Sequence, residues 1–306
     1  MEPNKLLEQD SVVLITGGAK GITAQCAISL AKLVPCKFIL VGRTKAQIPE
    51  PEWAAGCQSS EELQRNAYEF FINKGEKPSP KELQNQAAEV KSMREVNATL
   101  QAIRAFGGQV FYCSADITDG VSFTQEIHSA VKEFGEISGV IHGAGNLADK
   151  LIENKSGLDY DQVVSPKVKG LESILQVINS ETIRFLVLFS SVAGFWGNSG
   201  QADYAIANEV LNKSAHILRK ALPNCHVVSI NWGPWDSGMV SPQLKKNFEK
   251  LNIPLINAKE GTQILIRELT EDHPYYPQIV VGSPIFPQNV TRINTDHILN
   301  IRRKIQ

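Results

Sequence analysis

Seven short apolar runs recur along the chain, and most are apolar at consecutive rather than alternate positions. Strands that are buried on both faces of a sheet show this pattern, whereas half-exposed strands alternate. The predicted strands are VVLIT (12–16), KFILVG (37–42), QVFYCSA (109–115), ISGVIHG (137–143), IRFLVLFS (183–190), HVVSIN (226–231) and PQIVVG (277–282).

Between these runs lie stretches with apolar residues at i, i+3 and i+4, the spacing of an amphipathic helix. They cover residues 21–33, 119–134, 158–179 and 202–221. Regular alternation of strand and helix predicts an α/β fold, a Rossmann-like, doubly wound parallel sheet. We expect seven strands in the order 3-2-1-4-5-6-7.

The connection after the second strand is far longer than a simple crossover needs, since 72 residues separate Arg43 from Asp116. It contains SSEELQRNAYEFFINKG, which opens with a serine and a glutamate at capping distance. KELQNQAAEVKSMREVNATLQAIRAFGG follows and predicts one long helix that paired glycines end. We therefore predict a helical insertion and long helix over 49–106, within one domain spanning 1–306.

Two interpretations of the insertion stay open. It is either a helical flap that packs Leu63, Phe70 and Phe71 against the domain, or a contact with neighbouring domains or a second copy of the chain. Deleting residues 50–90 would separate the two, because loss of solubility indicates packing.

Composition narrows the function classes. The net charge is −1, so the chain has no general attraction for nucleic acid or anionic membrane, and neither partner is expected. No apolar run is long enough for a transmembrane helix, and MEPNKLLEQD lacks a signal-peptide core. Five cysteines without a C-x-x-C pair favour reduced thiols in a cytoplasmic protein, and six scattered histidines predict no metal site.

A glycine-rich turn follows the first strand directly, in TGGAKGIT (16–23). Glycines at a strand-to-helix turn let the backbone approach a pyrophosphate, and the helix N-terminus supplies free N–H groups. The candidate cofactor residues here are Gly17, Gly18, Lys20, Gly21 and Ile22. Thr23 replaces the third glycine of the usual fingerprint, so a glycine turn without a ligand is the alternative.

The end of the second strand favours NADPH over NADH. NAD enzymes commonly place an acidic residue there for the ribose 2′-hydroxyl, whereas this chain has Arg43, which suits a phosphate. A solvated surface arginine is the alternative. Asp116 and Ile117 follow the third strand at the adenine side, and three small residues after the fourth strand lie where the nicotinamide-side ribose passes (Gly143, Ala144 and Gly145).

A serine and a tyrosine form the candidate catalytic pair, because Tyr204 lies thirteen residues after Ser191. Reduction of a ketone needs a group that donates a proton to the oxygen, and an ordinary phenol has a pKa near 10. A nearby ammonium would lower that pKa. Reductases usually place a lysine four residues after the tyrosine, but Asn208 occupies that position.

These residues resemble the short-chain dehydrogenases/reductases, and most of all the ketoreductase domains of polyketide and fatty-acid synthases. In those domains the lysine and asparagine have exchanged places, and the lysine lies upstream in P-K-V-x-G. SPKVKG places Lys167 twenty-four residues before Ser191. The resemblance extends from VVLITGG to IVVGS, and GAKGIT, the insertion, GQADYAIANE and INWGPWDSGM are similar to the polyunsaturated-fatty-acid-synthase type. The chain looks like a catalytic half alone, excised from a synthase or free-standing.

The resemblance implies that NADPH reduces a 3-ketoacyl thioester carried on an acyl carrier protein, with other synthase domains as further partners. Tyr204 would donate the proton, Ser191 would orient the carbonyl, Lys167 would lower the phenol pKa and hold the ribose, and Asn208 would support a proton relay. The segment 230–242, which contains Pro234, would cover the nicotinamide. A helix over about 243–252 would form a lid.

Several alternatives remain at this stage. The chain could be a free-standing reductase of small ketones or steroids, or a nucleotide-binding scaffold without chemistry. Leu147 and Asp149 match part of a marker for the 3R alcohol, while Trp196 matches a marker for the opposite hand; the likeness to the polyunsaturated type favours 3R. Basic residues in 243–250, including Lys245 and Lys246, form either a carrier-protein patch or a solvated helix face.

Overall fold

The computed structural model describes residues 6–46, 48–238, 242–271 and 276–282. The seven strands form one sheet in the order β3-β2-β1-β4-β5-β6-β7, and every neighbouring pair is parallel. The predicted order and fold class are therefore confirmed. The strands are β1 Val12–Thr16, β2 Lys37–Gly42, β3 Gln109–Ser114, β4 Gly139–His142, β5 Phe185–Ser191, β6 His226–Trp232 and β7 Gln278–Val281.

Helices cover both faces of the sheet, and the four helices predicted between strands are present with ends shifted by at most two residues. The α-helices are α1 Gly21–Leu33, α2 Ser60–Asn73, α3 Pro80–Ala105, α4 Gly120–Phe134, α5 Gly157–Val177, α6 Val192–Trp196, α7 Ala202–Ala221, α8 Pro242–Lys250 and α9 Ala258–Thr270. Helices α6 and α9 were not among the elements predicted from the sequence. Predictions about residues 1–5, 239–241 and 283–306 lie outside the described residues.

The core lies in two layers because successive side chains of a strand point to opposite faces. In β1, Val13 and Ile15 join a buried cluster with α1, α3 and α9, whereas Val12 and Leu14 join a second cluster with α4, α5 and α7. Both faces of the strand are buried, which explains its continuous apolar sequence.

The insertion folds as a helical hairpin of α2 and α3. Each helix begins with a capping box, formed by Ser59 with Glu62 and by Ser79 with Glu82. The hairpin has a small core of its own, and Leu63, Phe70 and Phe71 pack in this core rather than against the domain. Its members are Trp53, Ala54, Cys57, Leu63, Ala67, Ala87 and Val90, with Phe70, Phe71 and Leu83 packed against them.

The described residues contain neither a membrane-spanning helix nor a cluster of metal ligands. None of their helices is both long and apolar enough to cross a membrane. Within the same residues, no group of three or more His, Cys, Asp or Glu side chains is close enough to hold a metal ion.

Candidate active site

A cleft of about 1460 Å³ opens at the carboxyl ends of the strands. The strand order reverses between β1 and β4, and open α/β sheets bind ligands in the crevice at such a switch point. The glycine-rich turn lies at one side of the cleft, Ser191 and Tyr204 at another, and residues of α3 and α8 close it from outside. The topology therefore gathers the candidate cofactor residues around one space with Ser191, Tyr204 and Lys167, whereas Asn208 is not among the described lining residues.

The glycine-rich turn has backbone angles and close contacts that require glycine. Gly17 and Gly21 have φ values of +68° and +60°, which favour glycine. A Cβ on Gly17 would lie 3.1 Å from backbone atoms of Ala144, and a Cβ on Gly143 would lie 2.5 Å from Thr23 Oγ1. Side chains at these two positions would clash with neighbouring atoms, so glycine lets the turn pack closely against the loop that follows β4.

Arg43 and Asp116 lie at the ends of β2 and β3, on the side of the cleft predicted for adenosine. Arg43 is exposed and donates from Nη2 to Asn146 Oδ1 at 3.2 Å. Partial burial opposes ionisation of Asp116, but hydrogen bonds from Thr118 and the charge of Arg43 outweigh it and hold the pKa of this carboxyl below its ordinary value. Ile117 is buried beside it.

Ser191 and Tyr204 are brought together by the step from β5 into two helices. Ser191 ends β5 and caps α6, where its Oγ accepts from the backbone N–H of Ala193 at 3.1 Å. Tyr204 lies in the first turn of α7, and Asn208 follows one turn later. Asn208 is fully buried and donates from Nδ2 to the Tyr204 carbonyl oxygen at 2.7 Å.

The pKa of Tyr204 is raised above its ordinary value, mainly by burial and further by the charge of Asp149. Hydrogen bonds from Ser191 and Asn208 act in the opposite direction but are weaker. The family resemblance implied a lowered pKa for Tyr204, and the net direction differs because burial of the phenol is the dominant effect.

Lys167 reaches the cleft from α5. Its Nζ lies 5.8 Å from the centre of the Tyr204 ring and donates to the Phe189 carbonyl oxygen at 2.8 Å. Burial lowers the pKa of Lys167 to about 8. The side chain also lies over Gly145, where a Cβ would be 3.1 Å from Lys167 Cε.

A histidine that sequence analysis did not single out holds the backbone at Lys167. His142, at the end of β4, is fully buried, and its Nε2 lies 2.9 Å from the Lys167 carbonyl oxygen. Since that oxygen only accepts, Nε2–H donates and Nδ1 accepts from Thr16 Oγ1 at 2.7 Å. Burial, then the charge of Lys167, lowers the pKa of His142 to about 3, so the ring is neutral.

Pro166 supplies a second attachment for the same segment. Proline lacks an N–H, so a proline inside a helix frees the carbonyl four residues earlier. That carbonyl belongs to Gln162, and it accepts from Asn146 Nδ2 at 3.2 Å. Asn146 therefore joins α5 to Arg43. No spacing rule identified Asn146, although its position next to Gly145 placed it near the predicted site.

Only some of the remaining predicted residues line the cleft. Pro234 lines it, as do Leu147, Asp149 and α8 residues including Leu244 and Phe248, whereas Trp196 is not among the described lining residues. Trp196 packs edge-on against Phe195, with ring centres 5.0 Å apart. Of the basic pair on α8, Lys245 is ion-paired with Asp236, and Lys246 is exposed.

Comparisons with known proteins place these features in a family. The profile of the KR domain matches residues 11–237. One chain of the polyunsaturated fatty acid synthase of Thraustochytrium sp. is 36% identical over 310 residues, covering 99% of this chain and 11% of that protein. Polyketide synthase PksL of Bacillus subtilis is 28% identical over 267 residues, covering 86% of this chain and 5% of that protein. The chain thus spans about a tenth or less of these multidomain relatives.

Solved structures share the fold. An N-terminal ketoreductase from the macrolactin assembly line has a TM-score of 0.67 and 24% identity, covering 98% of this chain and 48% of that chain. A short-chain dehydrogenase from Burkholderia cenocepacia in complex with NADP has a TM-score of 0.66 and 16% identity, covering 91% and 98%. Because the profile match covers most of its length, the chain belongs to the KR domain family.

Proposed function

We propose that the chain uses NADPH to reduce a 3-ketoacyl thioester to the 3-hydroxyacyl thioester, with the acyl group carried on an acyl carrier protein of a polyketide or polyunsaturated fatty acid synthase. The observation that carries the proposal is the convergence of Ser191, Tyr204 and Lys167 on one cleft that also contains the glycine-rich turn. The five buried free cysteines fit the reducing cytoplasm as its location.

The cofactor residues are assigned from the shape and charge of the cleft. When bound, NADPH supplies the hydride. The backbone of Gly17, Gly18 and Ile22 would hold the pyrophosphate at the start of α1, near the positive dipole end, while the Gly21 N–H donates to Glu95 Oε1 and would shape the turn. Arg43 and Lys20 would hold the 2′-phosphate, since both are exposed cations that line the same cleft.

Tyr204 is the proton donor in this proposal. Its raised pKa keeps the phenol protonated at neutral pH, so the proton is present when negative charge develops on the substrate oxygen. The Ser191 hydroxyl would hydrogen-bond the same oxygen and fix its direction. Lys167 would stabilise the phenolate that remains, because its buried ammonium lies beside the Tyr204 ring.

Asn208 would support proton return to Tyr204. Its Oδ1 is buried and has no hydrogen-bond partner among the described residues. A buried amide oxygen without a partner is costly, and a water donor would satisfy it. Such a water, one helical turn from Tyr204, fits the relay that the resemblance implies.

The product hand is proposed as 3R. Leu147 and Asp149 line the cleft, whereas Trp196, the marker of the opposite hand, is not among its described lining residues. Chiral analysis of the product from a model thioester tests the assignment, and an excess of the 3S alcohol would reject it.

The central experiment measures NADPH consumption with a 3-ketoacyl N-acetylcysteamine thioester. Tyr204→Phe should lower kcat by roughly 10²- to 10⁴-fold, the usual contribution of a positioned acid. Equal turnover by both proteins would remove Tyr204 as the acid. Tight NADPH binding without oxidation by any 3-keto thioester would favour a nucleotide-binding scaffold.

Carrier dependence is tested with the same acyl group free and carrier-bound. The proposal expects higher kcat/KM for the carrier-bound substrate, and a preference for small free ketones would favour a free-standing reductase. Lys246 is the exposed basic candidate for docking an acidic carrier, since Lys245 is already paired with Asp236. Lys246→Glu should lower the rate on carrier-bound substrate only, and an unchanged rate would remove this docking site.

A further inference from the structure

The insertion helix α3 contacts three consecutive residues of the glycine-rich turn. Thr99 Oγ1 donates to the Ala19 carbonyl oxygen at 3.0 Å. Lys20 Nζ donates to Ser92 Oγ at 3.1 Å, and the backbone N–H of Gly21 donates to Glu95 Oε1 at 2.9 Å. Ser92, Glu95 and Thr99 are spaced i, i+3 and i+7, so they share one helix face. We call them the α3 contact face.

The α3 contact face is held firmly against the domain. Val96, Leu100 and Ile103 of the same helix are buried in the cluster that contains Ala27 and Leu30 of α1. Thr99 is itself buried, and its Oγ1 lies between the carbonyl oxygens of Ala19 and Glu95. The helix therefore cannot move away from the turn without exposing apolar surface.

The same helix forms a wall of the cleft. Its lining residues are Ala88, Glu89, Ser92, Glu95 and Val96. Most of these positions precede Val96, where the burial of α3 in the main core begins, and all of them lie in the insertion. The insertion thus reaches the space assigned to the cofactor.

A glycine-rich turn gains most from such support. Glycines retain more backbone freedom than other residues, and ordering them during ligand binding costs conformational entropy. Two backbone contacts, at Ala19 and Gly21, reduce that cost in advance, because they already hold this part of the turn in one conformation. The contact with Ser92 also directs the Lys20 ammonium, which is otherwise the exposed end of a flexible side chain.

We propose that the α3 contact face positions the glycine-rich turn for the dinucleotide, and that Ser92, by directing Lys20, contributes to the preference for NADPH over NADH. Ser92, Glu95 and Thr99 are positioning residues, since they act through the turn. The preference for NADPH rests on the proposed function, whereas the support of the turn applies to either nucleotide.

The test is a direct fluorescence titration of the full chain with NADPH and with NADH, without any keto substrate. Thr99→Val should raise the Kd for both nucleotides about fivefold, the equivalent of one buried hydrogen bond, and Thr99→Ser should restore it. Glu95→Ala should also raise both Kd values, whereas Glu95→Gln keeps the acceptor for Gly21 and should restore binding.

The selectivity arm uses Ser92→Ala, which should raise the Kd for NADPH about threefold and leave that for NADH unchanged. In a Lys20→Met background the same substitution should have no further effect. Gln101→Ala is the matched control, since Gln101 is exposed on another face of α3 and should leave both Kd values unchanged.

Several results would overturn the inference. Unchanged Kd values in Thr99→Val and Glu95→Ala would show that the turn needs no support, and an equal loss of both nucleotides in Ser92→Ala would remove its role in selectivity. If Thr99→Val does not fold, the more exposed Glu95 and Ser92 variants carry the test. Failure of the wild type to bind either nucleotide would instead refute the proposed cofactor.

Discussion

A buried ion pair next to the candidate acid gives the sharpest prediction. Lys155 Nζ lies 2.8 Å from Asp203 Oδ2, and the two side chains are only 8% and 1% exposed. Lys155 also donates to the Ala148 carbonyl oxygen at 2.8 Å, and the backbone N–H of Tyr204 donates to Asp203 Oδ1 at 2.8 Å. The pair therefore ties the loop before α5 to the residue that precedes Tyr204.

The expected magnitude follows from the burial of both charges. Removing one partner of a buried pair leaves the other charge uncompensated, which costs about 3–5 kcal/mol. Asp203→Asn keeps an acceptor for the Tyr204 N–H and removes the charge, so its loss of unfolding free energy isolates the electrostatic part. Lys155→Met should cost a similar amount. The double variant should lose about 2 kcal/mol less than the sum, because no lone charge remains.

Urea unfolding measures these differences. Lys213→Met serves as the control, since Lys213 and Glu209 form an exposed i, i+4 pair with side chains 68% and 39% exposed. Its cost should stay below about 0.5 kcal/mol. Single variants of the buried pair within about 1 kcal/mol of wild type, or a double variant as unstable as the sum, would refute the reasoning.

Three further predictions concern the cleft. Gly145→Ala should lower kcat/KM for the keto thioester roughly tenfold, because the new Cβ would lie 3.1 Å from Lys167 Cε and displace the amine; an unchanged kcat/KM would contradict this. Gly17→Ala should weaken NADPH binding and cost about 1–2 kcal/mol in urea unfolding, since φ is +68° and the backbone of Ala144 is close; wild-type values for both would exclude strain there. Burial lowers the pKa of Lys167 from 10.5 to about 8, so the unfolded chain binds more protons between these values. The unfolding free energy of the wild type should therefore rise with pH across this window relative to that of Lys167→Met. The buried thiols contribute equally in both proteins, so their effect cancels in this comparison. Parallel pH profiles of the two proteins would contradict the prediction.

Much of the fold could be predicted because its determinants are local. Continuous apolar runs located every strand, and β4 and β5 begin only two residues after the predicted starts. Helix α6 has five residues, too few to show a periodicity. Helix α9 carried a readable signal that was missed, since Asn257 caps it by accepting from the Glu260 N–H. In the insertion, α2 was predicted from its serine cap and α3 from the glycine pair that ends it, but their mutual packing was not predicted.

The candidate site also contains residues that local sequence patterns or resemblance could predict and contacts that they could not. Spacing within α7 relates Tyr204 to Asn208, and family resemblance supplied Lys167. The contacts of Glu95 with Gly21 and Thr99 with Ala19 join positions 74 and 80 residues apart, and no local pattern encodes such pairs. They become visible only when the sheet brings α3 beside α1.

The direction of the Tyr204 pKa shift changes the role argued for Lys167. A lowered pKa would have required the ammonium to act before the proton transfer, by favouring the phenolate in the resting protein. With the pKa raised by burial, the resting phenol holds its proton, and in the proposed mechanism the ammonium would act once that proton has gone to the substrate oxygen. His142 and Asn146 then matter because they fix the backbone of α5 around Lys167, and a misplaced amine would fail at that step. The proposed mechanism therefore depends more on where Lys167 is held than on how acidic Tyr204 is at rest.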